Sequence, residues 1–174
     1  KNPQKMLQTG IPFTKKPVAL QFDYKVKMSD RENRIRATGF SKITDVPGKD
    51  YPAAILLLQK RWEDANGNVY AKRIGTMVTY YYHSTDWKNN VTYEIMYGDI
   101  TNRPEYKAHM MRLQATESYT VNSKGESVPI HEVAWGDEND VPTHMYIQFT
   151  SSHGGAYIGS PGNTLWVDNV KLVY

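Results

Sequence analysis

The chain of 174 residues contains no cysteine. Disulfide staples, thiolate nucleophiles and cysteine metal sites are therefore excluded. The compartment stays open, because exported bacterial proteins also often lack disulfides. Long apolar runs are missing too. The longest, Ala53 to Leu58, has the length of a core strand and falls far short of the roughly 18 residues of a membrane helix. Charge of one sign is scarce: the formal net charge is +3 and the basic residues are dispersed, which argues against nucleic acid as a partner. No segment shows a clean helical face. A chain of this length can bury a substantial core, and it reads as one domain over residues 1–174, with a proline-containing lead-in over 1–17. Lys1 is not a natural start, so the chain is expected to be a trimmed fragment, and no signal peptide is visible in it.

What the chain has in abundance is aromatic residues, with 13 Tyr and 4 Trp, and period-two alternation. Leu20, Phe22, Tyr24 and Val26 alternate with Gln21, Asp23, Lys25 and Lys27, the mark of a half-buried strand. Further strands are expected over 51–62, 69–74, 76–82, 91–97, 145–150 and 164–174. Residues 107–116 lack a clean helix face and are read as a strand. Asn66-Gly67 is a strong hairpin signal. Residues 43–48 and 122–127 are turn clusters, 83–90 is a polar loop carrying Trp87, and 135–142 is an acidic loop holding Asp137, Glu138 and Asp140. About eight to ten short strands without a helix indicate an all-β, two-sheet sandwich.

Several motifs fail on spacing. His131-Glu132 opens like a zinc-protease motif, but Trp135 stands where the second histidine belongs. Asp64 to Asn68 has its glycine misplaced for a calcium loop. Gly154, Gly155, Gly159 and Gly162 do not form a phosphate-binding fingerprint, and no helix follows them. Ser152 and His153 are neighbours on an extended chain and point apart, so they cannot form a catalytic pair.

Two stretches resemble a known family. The first, Gly10 to Lys27, runs Gly, Pro-Phe, Lys, Pro and then an alternating strand containing Tyr24-Lys25. The second comprises Ser151, Ser152, Gly155, Tyr157, Gly159, Leu165, Trp166, Val167 and Asp168. Together they resemble the carbohydrate-metabolism domain of gut-bacterial surface lipoproteins. That resemblance implies a jelly-roll β-sandwich like those of carbohydrate-binding modules, a poly- or oligosaccharide partner, and export to the cell surface or periplasm. Membrane attachment would come only through a lipid anchor outside this fragment. Carbohydrate-binding jelly rolls commonly hold a structural calcium through an acid in the last strand, which makes Asp168 a candidate ligand.

Sugars are bound by a flat ring beneath one face and by polar groups at the hydroxyl edges. Trp87 and Trp135 fall in polar loops, where no core demands them. Tyr146 lies out of phase with Met145, Ile147 and Phe149, so it should face away from the core. A ligand floor is therefore expected from Asp23, Lys25, Glu94, Tyr146 and Gln148, with Trp135 as a wall and Trp87 nearby. The leading reading is a non-catalytic glycan-binding or glycan-handling module. Asp23 and Glu94, each the single acid on its polar strand face, are the candidates should the protein instead be a glycoside hydrolase. The alternative to catalysis is a solvated face with Glu94 paired to Lys25. Placement of Asp23, Glu94 and Gln148 on different faces would favour a structural or assembly module of a surface protein.

Overall fold

A computed structural model describes residues 2–39, 42–137 and 139–174. The chain is all-β. Its strands are β1 (Ile11–Pro12), β2 (Ala19–Lys27), β3 (Arg34–Arg36), β4 (Thr44–Val46), β5 (Ala53–Glu63), β6 (Val69–Tyr80), β7 (Thr85–Glu94), β8 (Met96–Tyr97), β9 (Tyr119–Val121), β10 (Ser127–Trp135), β11 (His144–Thr150), β12 (Ile158–Gly159) and β13 (Thr164–Val173). The helical elements are a 3-10 turn at Pro3–Met6 and one short helix, α1 (Ala108–Met111). Among the described residues, no helix is long and apolar enough to cross a membrane.

The large sheet runs β1-β11-β5-β6-β10-β9, with β8 attached to β6. A three-stranded sheet, β13-β2-β7, lies over one face of it, and β12-β3-β4 forms a small separate sheet. The core between the first two sheets follows directly from the alternation. Leu20, Phe22 and Val26 of β2 meet Ala54, Leu56 and Leu58 of β5, together with Met145, Ile147 and Phe149 of β11. The long apolar run of β5 supplies both faces, because Ala53, Ile55 and Leu57 point the other way into a second cluster with Val78, Met96, Ile100 and Met111. A strand buried on both sides loses its polar alternation. β5 and β6 are joined by the Asn66-Gly67 turn. There Asp64 accepts hydrogen bonds from the backbone N–H groups of Asn66 and Asn68, and Gly67 adopts φ 89°.

Four expectations are corrected. Residues 107–116 form no strand. Their one regular element is α1, whose Met111 side chain plugs the second cluster. The expected break near Gly75 is absent, and β6 passes through it as one strand. A side chain at Gly75 would meet Ile95 and Leu58, so the glycine permits close packing rather than a turn. Residues 85–90 belong to β7, because a register shift opposite β2 lets the polar sequence continue the ladder. Thr44–Val46 is a short strand set inside the expected turn cluster, and the turn itself comes at Gly48 with φ 94°. The acidic loop continues from Gly136, but Glu138 lies outside the described residues.

Candidate functional site

The expected floor does not assemble. β2 and β7 belong to one sheet and β11 to the other, so Asp23, Lys25 and Glu94 lie on the far side of the molecule from Tyr146 and Gln148. Period-two alternation places a side chain on one face of its own strand, but it says nothing about which strands share a sheet.

Asp23 turns out to be a structural clamp. It lies in the middle of its sheet, and both neighbouring strands shift register beside it. At these two irregularities, Asn90 and Asn169 adopt positive φ values of 52° and 53°. The Asp23 carboxylate accepts the Asn90 backbone N–H at 2.5 Å and the Asn169 side-chain amide at 2.7 Å. These bonds, with that of Asn169 the stronger influence, hold its pKa below the usual carboxylate range. Glu94 pairs with Arg103 at 3.3 Å, not with Lys25, and the ammonium of Lys25 lies 5.5 Å above the Trp166 ring. Glu94 sits opposite Ala19, so about 13 Å of strand separates it from the level of Asp23. Glycoside hydrolysis needs two carboxyls roughly 5–9.5 Å apart. Both carboxylates are also committed elsewhere, Asp23 to Asn90 and Asn169 and Glu94 to Arg103, so they do not form a converging pair.

Asp168 is the ladder partner of Asp23, and its carboxylate accepts the backbone N–H of Asn169 at 2.7 Å. Among the described residues, no three His, Asp or Glu side chains gather in a way that could hold a metal. Trp87 is on β7 rather than in a loop and is 46 % exposed. Trp135 ends β10 and is half-buried. It packs edge-on to Tyr106 and beneath the Arg73 guanidinium, 5.7 Å away, so it is part of the packing and not a groove wall.

Tyr146 and Gln148 do come together, and they mark the main concavity. β11 presents both on the face of the large sheet opposite β2, at ladder positions facing Leu57 and Ile55. The Tyr146 hydroxyl donates to Gln148 Oε1. Burial pushes the Tyr146 phenol up to about 12, so it stays a donor at neutral pH. Above them opens a groove of about 980 Å³. Its floor continues through Tyr80 of β6, whose ring meets His153 at 5.5 Å and His109 at 6.2 Å, both edge-on. The N-terminal segment 7–11 forms one wall and the chain around Arg112 and Gln114 the other. Glu117 is the one acid lining the groove among the described residues, and Arg112 holds it at 2.6 Å.

The His153 end of the groove is built by a buried carboxylate. Asp50, 4 % exposed, accepts the backbone N–H groups of His153 at 2.8 Å and Gly154 at 3.1 Å, along with the Ser152 hydroxyl. The serine-histidine-glycine stretch is thereby folded around an internal anion. A side chain at Gly154 would strike Asp50 and Arg34.

The other wall rests on a buried ion pair. Glu132, in β10, receives Arg73 through both carboxylate oxygens, Gln59 Nε2 at 2.5 Å and the Gln114 backbone N–H at 2.7 Å. Both charged side chains are almost wholly buried. The last of these bonds ties segment 112–118 to the sheet. Arg61 lies beside this network. Its burial, partly opposed by the Glu132 charge, lowers its pKa to about 10.

Tyr80, His109, Arg112 and His153 were absent from the sequence expectation. They come from three separate stretches, with His109 and Arg112 sharing one, and converge only in the folded chain. Tyr80 alone left a signal, since it continues the phase of Val78 along β6. No family model matches this chain, and no curated protein shows significant similarity to it.

Proposed function

We propose that this chain is a jelly-roll glycan-binding module whose ligand lies in the groove over β11. One observation carries the reading. A groove large enough for an oligosaccharide is floored by Tyr146, Gln148 and Tyr80 and rimmed by His109, Arg112 and His153. Rings of this kind stack on the C–H face of a pyranose, and amide, imidazole and guanidinium groups pair with its hydroxyl edges. The core shared by two facing sheets supports the jelly-roll reading, while the parallel pairing of β10 with β6 departs from an all-antiparallel roll. The resemblance of residues 10–27 and 151–168 to the lipoprotein domain family points to the same ligand class. It also points to an exported, lipid-anchored parent protein. Among the described residues one acid lines the groove, Glu117, paired to Arg112, which favours binding over hydrolysis by two carboxylates.

The test is a glycan screen with the purified chain, followed by titration of Tyr146→Ala and Tyr80→Ala against the best polysaccharide. Each substitution is expected to weaken binding by about 1–2 kcal/mol with the fold retained. Trp135→Ala, which the sequence favoured as a ligand contact, should change stability more than affinity.

A second reading, a structural or assembly module, is favoured by the separation of Asp23 and Glu94 from Gln148 onto opposite faces. A screen that returns no ligand decides for it.

A further inference from the structure

The face of the large sheet that packs against β2 does so only as far as Leu58. Beyond that point Lys60, Trp62 and Lys72 of β5 and β6 are exposed. The same face then carries two ladder rows, Lys60 opposite Lys72 and Trp62 opposite Tyr70, and His131 of β10 extends the second row onto a third strand. Trp62 and Tyr70 lie nearly parallel, with ring centres 5.9 Å apart and planes 25° apart, and Tyr70 and His131 follow at 5.8 Å and 38°. Three rings thus form one continuous shelf across three strands. Trp62 is 43 % exposed, although it stands between polar neighbours where no core requires it.

The borders of the shelf differ in charge. On one side are the two lysines, placed directly opposite each other, an arrangement that repels. Asp140 relieves Lys60 at 2.8 Å. Lys72 makes no hydrogen bond or ion pair among the described residues, although it lies close enough to Asp140 to help hold that carboxyl low. On the other side is Asp64, which accepts from Asn68 and, at 3.5 Å, from the Tyr70 hydroxyl. We propose that Trp62, Tyr70 and His131 form a second binding surface, for an acidic oligosaccharide whose pyranose rings lie on the shelf and whose carboxylates reach Lys72.

The chemistry selects this ligand over the alternatives. A row of rings suits the C–H face of a sugar, and the Lys72 ammonium, without a hydrogen bond or ion pair among the described residues, complements a uronate carboxylate. Hydroxyls on the opposite edge of the sugar meet the Asp64 carboxylate. A single-stranded nucleic acid also stacks on aromatic rows, but it needs cations that track its backbone. Here Lys60 is held by Asp140 and Lys72 stands beside it, so among the described residues no file of cations follows the ring row. A neutral glycan would leave Lys72 unused. The site is independent of the groove, which opens on the other face of the same sheet.

The experiment is affinity electrophoresis and calorimetry of the whole chain with polygalacturonate, with neutral mannan and with a thymidine oligonucleotide. The variants are Trp62→Ala, Lys72→Ala and, as a control at the groove, Tyr146→Ala. Polygalacturonate is expected to bind at the shelf, about tenfold more weakly in Trp62→Ala and several-fold more weakly in Lys72→Ala, while Tyr146→Ala reports any binding in the groove separately. Unfolding curves of Trp62→Ala verify that the fold is intact. If polygalacturonate does not bind, or binds Trp62→Ala as well as the parent, the proposal is overturned. It also fails if mannan binds equally and ignores Lys72→Ala, or if the oligonucleotide binds more tightly through Trp62. Loss of groove binding alone, with the shelf intact, would count against the proposed function and leave this site standing.

Discussion

Glu132 shows how much a single residue carries. It is the common acceptor for Arg73, Gln59 and the Gln114 backbone, so it joins β10, β5 and β6 to the groove wall. A buried ion pair adds little over apolar packing, but removing one partner strands a buried charge. Glu132→Ala is therefore expected to destabilise the protein by about 3–5 kcal/mol in urea denaturation. Combining it with Arg73→Met should restore part of that loss, and additivity of the two changes would count against the coupling. Asp50 and Asp23 follow the same logic on a smaller scale. Each carboxylate satisfies backbone or amide donors that an irregular segment would otherwise leave unpaired.

Among the elements, β13 is the most consequential. It is an edge strand, yet its ladder with β2 runs from Thr164 to Val173, and Leu165, Val167 and Leu172 pack on the main core. Val170, apolar like its neighbours, is 46 % exposed. The register shift after Asp168 adds one residue and inverts the alternation that follows, which brings Leu172 back to the core side with Val167. Deleting residues 165–174 is expected to abolish cooperative unfolding. Each of the three packed side chains contributes about 1.5–3 kcal/mol, a total comparable with the whole stability of a domain. A truncated chain with an unchanged melting temperature would refute this.

For the molecule as a whole, the prediction concerns acid. Asp23, Glu63, Asp64, Asp99 and Asp140 all have folded values below their ordinary ones, chiefly because neighbouring side chains and backbone N–H groups donate to the carboxylates. His144 is lowered too, by burial and then by the charge of Arg61. In every case the unfolded chain binds more protons than the folded one, so stability rises with pH. The histidine contribution is complete above about pH 6.5 and fades below it, and the carboxylate contributions are complete above about pH 4–4.5 and are lost as pH falls further. Thermal melts from pH 8 to pH 3 should show a shallow decline and then a steep one. Asp23→Ala should differ from the parent at pH 7 and approach it at pH 3. A melting temperature independent of pH would contradict the hydrogen-bonding pattern described above.

The strand content, the two-faced burial of β5, the β5–β6 hairpin and the outward phase of Tyr146 were legible from the residues alone. They follow from side-chain alternation and turn chemistry, which act over a few positions. The partnership of strands was not legible. Asp23 and Gln148 are both polar residues in phase with a solvent face, and only the pairing of β2 with β13 and β7, and of β11 with β5, sets them on opposite sides of the molecule. Register irregularities were equally hidden. Asn90 and Asn169 are ordinary polar residues in the sequence, and it is the carboxylate of a third strand that holds them, through the Asn90 backbone N–H and the Asn169 side-chain amide. The groove and the aromatic shelf join residues far apart in the chain, so neither has a local pattern. Local chemistry determined which segments became strands, and long-range pairing, specified by the shape and burial of the assembled sheets, decided which side chains became neighbours.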